Sequence, residues 1–326
     1  MGDTLSYMGN GTTANQNQSK IGLKVTRIET ISEGIVNYKK VGYIDESETN
    51  KKYKLQNEDV LFSHINSVKH IAKVALYRGE QPLYHGMNLL VIRANPEIVR
   101  PVFLFYWLSS SQIKGVFESK AKLAINQASL NTQDVKETKI LLPPLPEQQK
   151  IASILTSVDT VIEKTEAQIN KLKDLKKAMM QELLTKGIGH TEFKDSPVGR
   201  IPVGWEYLSA QQLLDCNVIT ALKDGNHGSQ YPRVSDFAKH GRYFLSASNI
   251  TENGEIDFDS CPCLPDNKAS KLRIKPAKGG DVILTHNATV GRVSLVPEHI
   301  ETIIVSTSTT YYRVNPTIIS PMFLKF

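Results

Sequence analysis

His64 and His286 stand in like settings, "LFSHINS" and "ILTHNAT", and two histidines so placed invite a catalytic or metal-binding reading. Neither has the spacing that such chemistry needs, because no HExxH, no paired carboxylates and no Cys/His cluster lies nearby in the sequence. A structural or phosphate-contacting histidine is the reading that remains. Cys216, Cys261 and Cys263 form one C-x-C pair with a distant third, which does not match the four-ligand spacing of structural zinc, so they are read as reduced and structural. The stretch "GNGTTANQ" lacks the Gly-Lys-Ser/Thr ending that puts a lysine on nucleotide phosphates. Asn95-Pro96-Glu97 and Asn315-Pro316-Thr317 lack the second proline and aromatic residue that adenine-methylating enzymes present beside a flipped base. The chain is therefore read as non-catalytic, with no cofactor and no metal.

A net charge of +6 and a pI near 9.0 suit a polyanionic partner. At 326 residues two domains are expected rather than one core. No stretch is apolar enough to span a bilayer and the N-terminus lacks the pattern of a secretory signal, so a cytoplasmic protein with no membrane partner is expected.

The elements that must position any site come in two copies. "TISEGIVNYKKVGYI" has a counterpart in "NITENGEIDFDSCPCL", with Gly34 matching Gly254. "EDVLFSHINSVKHIAKVALY" resembles "GDVILTHNATVGRVSLV", and Asn95-Pro96 matches Asn315-Pro316. Three landmarks in one order at an offset of about 220 make a duplicated domain, since the period is far too long for a solenoid. Short β-branched and aromatic runs between Gly, Pro and Asn read as strands. "RPVFLFYWLSSSQIKGVFES" then reads as helix, with Val102, Phe105, Tyr106 and Leu108 on one side. Each copy is an α+β domain.

Between the copies lies a long helix. Pro143, Pro144 and Pro146 start it, Glu147 favours its positive end, and Gly187 and Gly189 stop it. Ile151, Leu155, Val158, Ile162, Thr165, Ile169, Leu172, Lys176, Met179 and Leu183 alternate spacings of four and three, a heptad seam with two polar interruptions. About forty residues at roughly 1.5 Å each make a rod of about 60 Å. Such a seam requires a partner helix. The expected organisation is a first domain over 1–142, a coiled-coil spacer helix over 143–190 and a second domain over 191–326.

Taken together, "LLPPLPEQQKIASILTSVDTVIEK", "LTKGIGHTEFKDSPVGRIPVGWE", "DGNHGSQYPR", "FLSASNITENGEI" and "GDVILTHNATVGRV" resemble the specificity subunit of type I restriction-modification systems, over nearly the whole chain. The resemblance implies two target-recognition domains, each reading half of a split sequence in double-stranded DNA, held apart by an antiparallel coiled coil. It also implies modification (methyltransferase) and restriction subunits docked on that scaffold.

Read in that light, loop residues able to pair with base edges or phosphates are the candidates. In the second copy they are Lys223, Asn226, His227, Tyr231, Arg233, Ser248, Asn249, His286, Asn287 and Arg292. In the first copy they are Arg27, Glu29, Ser63, His64, Asn66, Ser67 and Lys69, with Glu29 suited to accept from a cytosine amino group. Any one of them taken singly also reads as an ordinary solvated turn residue.

The sequence departs from the family pattern at both ends. "IPVGWEYLSAQQLLDC" opens the second copy without an equivalent in the first, and the second copy stops at Phe326, before any second conserved helix. A gene fragment, a rearranged gene and a short subunit that finds its second helix in another copy all fit, and in each the exposed seam predicts self-association or instability of the isolated chain. Two other classes stay open: a recognition part of a fused restriction-methylation enzyme, and a coiled-coil protein linking two β-rich modules.

Overall fold

The computed structural model describes residues 1–67, 70–124, 127–225, 228, 231–273 and 275–326. The chain divides into two compact units, Met1–Ile169 and Asn170–Phe326.

The first unit is built on an antiparallel sheet of β1 (Leu5–Asn10), β2 (Val60–Phe62), β3 (Val74–Leu76) and β4 (Leu90–Ala94), in the spatial order β1-β4-β2-β3. Side chains alternate across a strand, and here both faces are covered, so the central strands are apolar throughout. Val60, Phe62, Leu90 and Ile92 face Phe103, Leu104, Leu108 and Phe117, whereas Leu61, Ala75 and Val91 face Leu55, Leu83 and Leu89. Phe62 and Phe117 meet edge to face at 5.1 Å.

Where one helix was expected after Arg100 there are two, α1 (Pro101–Ser109) and α2 (Ser111–Lys120). Ser110 is extended (φ −65°, ψ 141°) and its hydroxyl accepts from Ile113 N, so it ends one helix and caps the next. The buried face of α1 is Phe103, Leu104 and Leu108 rather than the expected stripe through Phe105 and Tyr106. The Tyr106 hydroxyl is instead drawn outwards and donates to Asp159 (2.7 Å).

Asp159 belongs to α3, which runs from Leu145 to Lys186 over 42 residues. Its start is tied to the first unit by Gln148, which is 1% exposed. The Gln148 amide accepts from Arg100 N (2.8 Å) and donates to Pro143 O (2.8 Å) and Ile98 O (3.2 Å). Ala152 is buried beside it, and Ile151 packs on the same core. Ile151 is thus partly used within the first unit, unlike the rest of the expected seam. Leu155, Val158, Ile162, Ile169, Leu172, Met179 and Leu183 are all exposed, from 38% for Leu155 to 64% for Leu172. After Lys186 the chain turns through Gly187 (φ +69°), where a Cβ would lie 2.6 Å from His190 and 2.8 Å from Trp205.

The second unit repeats the first. Strands β5 (Ile219–Asp224), β6 (Val282–Thr285), β7 (Val293–Leu295) and β8 (Thr309–Val314) form an antiparallel sheet in the order β5-β8-β6-β7. Both sheets carry a bulge at one point of the first pairing, between Leu5 and Tyr7 and between Ile219 and Ala221. The core gathers Leu245, Ile250, Ile283, Val296, Ile303, Val305 and Tyr311. Cys261 is buried, which pushes its thiol up to about 12, while Cys216 is exposed; all three cysteines are free thiols.

Candidate nucleic-acid interface

Pairing register maps one unit on the other residue by residue. Val60 pairs with Ile92, and Val282 with Tyr312. Val25 bridges Tyr84 in parallel, as Phe244 does Ile304. Gly22 (φ +106°) and Gly241 (φ +145°) each press on the carbonyl opposite, Ile44 O and Leu264 O, where a Cβ would come within 2.3 Å. These pairings place His64 with His286, Asn10 with Asp224, Arg27 with Ser246, Lys73 with Arg292 and Met87 with Thr307.

Each sheet is braced by a two-pronged ion pair between neighbouring strands. Arg93 donates to Asp59 at 2.7 and 2.8 Å, and Arg313 to Asp281 at 2.8 and 2.7 Å. The carboxylates are 0% and 1% exposed. The same aspartates accept from Gln56 N and Lys278 N, both at 2.8 Å, which supplies the remaining hydrogen bonds a buried charge requires.

At one end of the second sheet three loops converge. Asp224, the last residue of β5, lies 2.8 Å from His286 Nε2 at the end of β6. Asn287 donates to Thr307 O (3.3 Å), and His286 N donates to Ser308 O (3.1 Å). The Ser308 hydroxyl accepts from Ala247 N (2.9 Å) and lies 2.8 Å from Ser306, and Ser246 lies 2.8 Å from Ser248. Gly225 sits against this turn so closely that a Cβ would be 1.6 Å from Ser306 O. The result is a polar rim of hydroxyl, amide and imidazole groups from three loops, with Lys223 exposed beside it.

The corresponding end of the first sheet is drier. Asn10 donates to Met87 O (3.1 Å) and approaches His64 Nε2 at 3.5 Å. His64 is 5% exposed, and burial pulls its imidazole below the ordinary range. His85 is 3% exposed and is pushed down to about 4, chiefly by burial, although its contact with Gly9 O opposes the shift. Gly11 approaches His85 O, where a Cβ would lie at 2.0 Å. Arg27 and Glu29 are exposed and paired at 3.4 Å.

The expected contact residues divide accordingly. Lys223, Tyr231, Arg233, Ser248 and Asn287 are exposed, as are Arg27 and Glu29. Tyr231 also meets Phe244 edge to face at 5.7 Å. His286, Asn66 and Ser67 are half-buried; the Asn66 amide donates to Ser63 Oγ (3.1 Å) and accepts from Ser67 N (2.8 Å). Arg292 is half-buried and its guanidinium donates to Ile250 O, just as Lys73 donates to Ser32 O.

Three of the expected residues do not face outwards. Asn249 is 5% exposed, with its amide accepting from Ser246 N (2.9 Å) and donating to Ser260 O and Oγ (3.0 Å each). Its role is to close a local turn, as Thr30 does in the first unit by accepting from Arg27 N. Ser63 and His64 are buried at the root of their loop. Lys69, Asn226 and His227 lie outside the described residues. The serine-rich turn at 306–308, Asn10 and Asp224 were not expected; the alternation "STSTTYY" entering β8 is the signal that marks the turn. Among the described residues no group of three or more His, Cys, Asp or Glu is placed to hold a metal ion. No helix among them is long and apolar enough to cross a membrane.

Two like α+β bodies, each framed by the same ion pair but differing in the side chains at the corresponding sheet end, define a tandem-repeat architecture connected in the chain by one long helix. Comparison with known proteins gives that architecture a family. The model of the type I restriction modification DNA specificity domain matches residues 4–174. A putative type I restriction enzyme MjaX specificity subunit from Methanocaldococcus jannaschii is 39% identical over 299 residues, covering 90% of this chain and 67% of that protein. The MjaVIII specificity subunit of the same organism is 26% identical over 263 residues, covering 79% of this chain and 58% of that protein. A crystal structure of the type I restriction-modification S subunit from M. genitalium has the same fold, with a TM-score of 0.53 at 13% identity over 99% of this chain and 74% of that one. The chain belongs to the family of type I restriction-modification specificity subunits, the non-catalytic part of these systems.

Proposed function

We propose that each unit reads one half of a split double-stranded DNA target, and that α3 sets the distance between the halves. The domains in this reading are 1–142 and 191–326, with 143–190 as spacer. What carries it is the repetition of one frame with different rims: the Asp59–Arg93 and Asp281–Arg313 braces recur, while the exposed residues around them differ. A rigid frame with variable loop side chains can present different hydrogen-bonding groups to base edges without changing the fold.

Major-groove reading from one side of a duplex recurs about every 34 Å, so two readers held by a rod of about 60 Å leave unread base pairs between the half-sites. Phosphate contacts by the basic surface supply salt-dependent affinity, and rim contacts choose the sequence. The exposed seam of α3 is then where a modification subunit or a second copy of the chain packs, and a restriction subunit joins through that assembly. The reading needs no cofactor.

The test is selection from a pool of random duplexes by the chain purified with its modification subunit, at two salt concentrations. Enrichment of two short motifs at fixed spacing, weaker at higher salt, is the expected result. Recovery of no motif at either salt overturns it.

A further inference from the structure

Met87 and Thr307 occupy the same place in the two units, at the turn that leads into the last-numbered strand of each sheet. Their carbonyls are pinned by asparagine side chains from non-equivalent places, Asn10 at the end of β1 onto Met87 O and Asn287 in the loop after β6 onto Thr307 O. The backbone of this turn is also fixed on the other side. Met87 N donates to Thr12 O and Gly86 N to Thr26 Oγ1, while Ser306 N donates to Leu245 O and Ser308 O accepts from His286 N. At both places a held backbone carries a side chain that the frame does not use. Met87 is 47% exposed and belongs to neither hydrophobic core of its unit. The Thr307 hydroxyl makes no hydrogen bond among the described residues.

We infer that this position is a specificity determinant in each unit, and that Met87 selects a thymine methyl in the first half-site. The inference rests on the DNA-reading role proposed above. A thioether-bearing apolar side chain offers no strong donor or acceptor. Of the features in the major groove, only the C5-methyl of thymine rewards it, whereas guanine, cytosine and adenine edges would lose hydrogen bonds to water against it. Thr307 adds a donor and acceptor hydroxyl at the same point, so the second unit has there a hydrogen-bonding group that Met87 lacks. Arg27 and Glu29, exposed and paired at 3.4 Å, follow the Thr26 that holds Gly86 and carry groups able to bind bases.

The experiment uses the chain with its modification subunit, selecting from random duplexes, followed by affinity measurements on the selected site with deoxyuridine replacing each thymine in turn. The wild type is expected to enrich thymine at one position of one half-site and to bind several-fold more weakly when that base lacks its methyl. Met87→Leu keeps both properties. Met87→Gln, nearly the same in length but with a polar amide in place of the thioether, loses about tenfold of the preference at that position and becomes indifferent to the methyl, with the other half-site and the spacing unchanged. The inference is overturned if Met87→Gln selects the same bases, or if methyl removal weakens wild type and variant alike. Should the wild type select a motif in which no methyl matters, the Met87 assignment fails while DNA reading stands. Should it select nothing, both fail. Trp107 fluorescence on denaturation verifies that the first unit of each variant is folded, and the deoxyuridine series run on wild type and variant together assigns the methyl contact to Met87.

Discussion

The guanidinium of Arg313 grips the carboxylate of Asp281 through two parallel hydrogen bonds, 2.8 and 2.7 Å long, across neighbouring strands of the second sheet. Arg93 and Asp59 do the same in the first. Because both aspartates are buried, removing one partner strands a charge rather than merely losing a contact. Replacement of Arg313 by Met is expected to destabilise the second unit by about 3 kcal/mol. The two tryptophans, Trp107 and Trp205, lie one in each unit, so urea titration of single-tryptophan variants reports them separately. Only the Trp205 transition is expected to move; an equal shift of both would mean that the units unfold as one.

Protonation should weaken the first unit more than the second. Burial holds His85 neutral down to about 4, whereas a histidine in the unfolded chain takes up its proton near 6.5. Between those values the unfolded state binds more protons, so stability is full above about pH 6.5 and is lost as pH falls towards 4. The loss approaches about 3 kcal/mol at most, from 1.36 kcal/mol per pKa unit. His85→Val, which installs the residue found at the equivalent Val305, is expected to remove most of this slope in the Trp107 transition. His64, also pulled down by burial, retains a smaller share.

A methyl group at Gly225 has no room, since its Cβ would sit 1.6 Å from the Ser306 carbonyl. Gly225→Ala is expected to cost the second unit about 2 to 3 kcal/mol and to push the 306–308 turn away from Asn287. Equilibrium denaturation measures the first effect. Loss of base preference confined to one half-site measures the second.

Lys223 is exposed beside the rim, so its expected contribution is to phosphate. Lys223→Ala should weaken all duplexes alike and reduce the slope of log K against log salt by about 1. A change in the selected sequence, with the slope intact, would instead make Lys223 a base reader.

The seam of α3 is expected to carry association rather than stability of either unit. Ile169 and Leu172 are 45% and 64% exposed, and changing both to Lys should abolish self-association or modification-subunit binding in sedimentation. Both tryptophan transitions should stay within about 0.5 kcal/mol of wild type, as surface changes usually do.

Much of this molecule was legible without coordinates. The long helix announced itself by a heptad period between prolines and glycines, which are local signals and survive any tertiary context. The duplication announced itself because Gly34 and Gly254, His64 and His286, and Asn95 and Asn315 recur in order. What could not be read was the direction in which each polar side chain points. Asn249 and Asn287 are the same residue type in like loops, yet the amide of Asn249 is used up by Ser246 and Ser260 while Asn287 stands exposed at the rim.

The sequence by itself determined the α+β class, the repeat and the long helix, because periodicity and turn residues act over a few positions of chain. Tertiary structure alone decided that Gln148 anchors the long helix, that Ser63 and His64 turn inwards, and that Met87 stands exposed where Thr307 is half-buried in the other unit. Partners remote in sequence are what matter here: Gln148 lies 48 residues from Arg100, and Met87 lies 77 from Asn10. Whether a polar or apolar group is buried or free is settled by what the fold brings to it, and no local pattern encodes that.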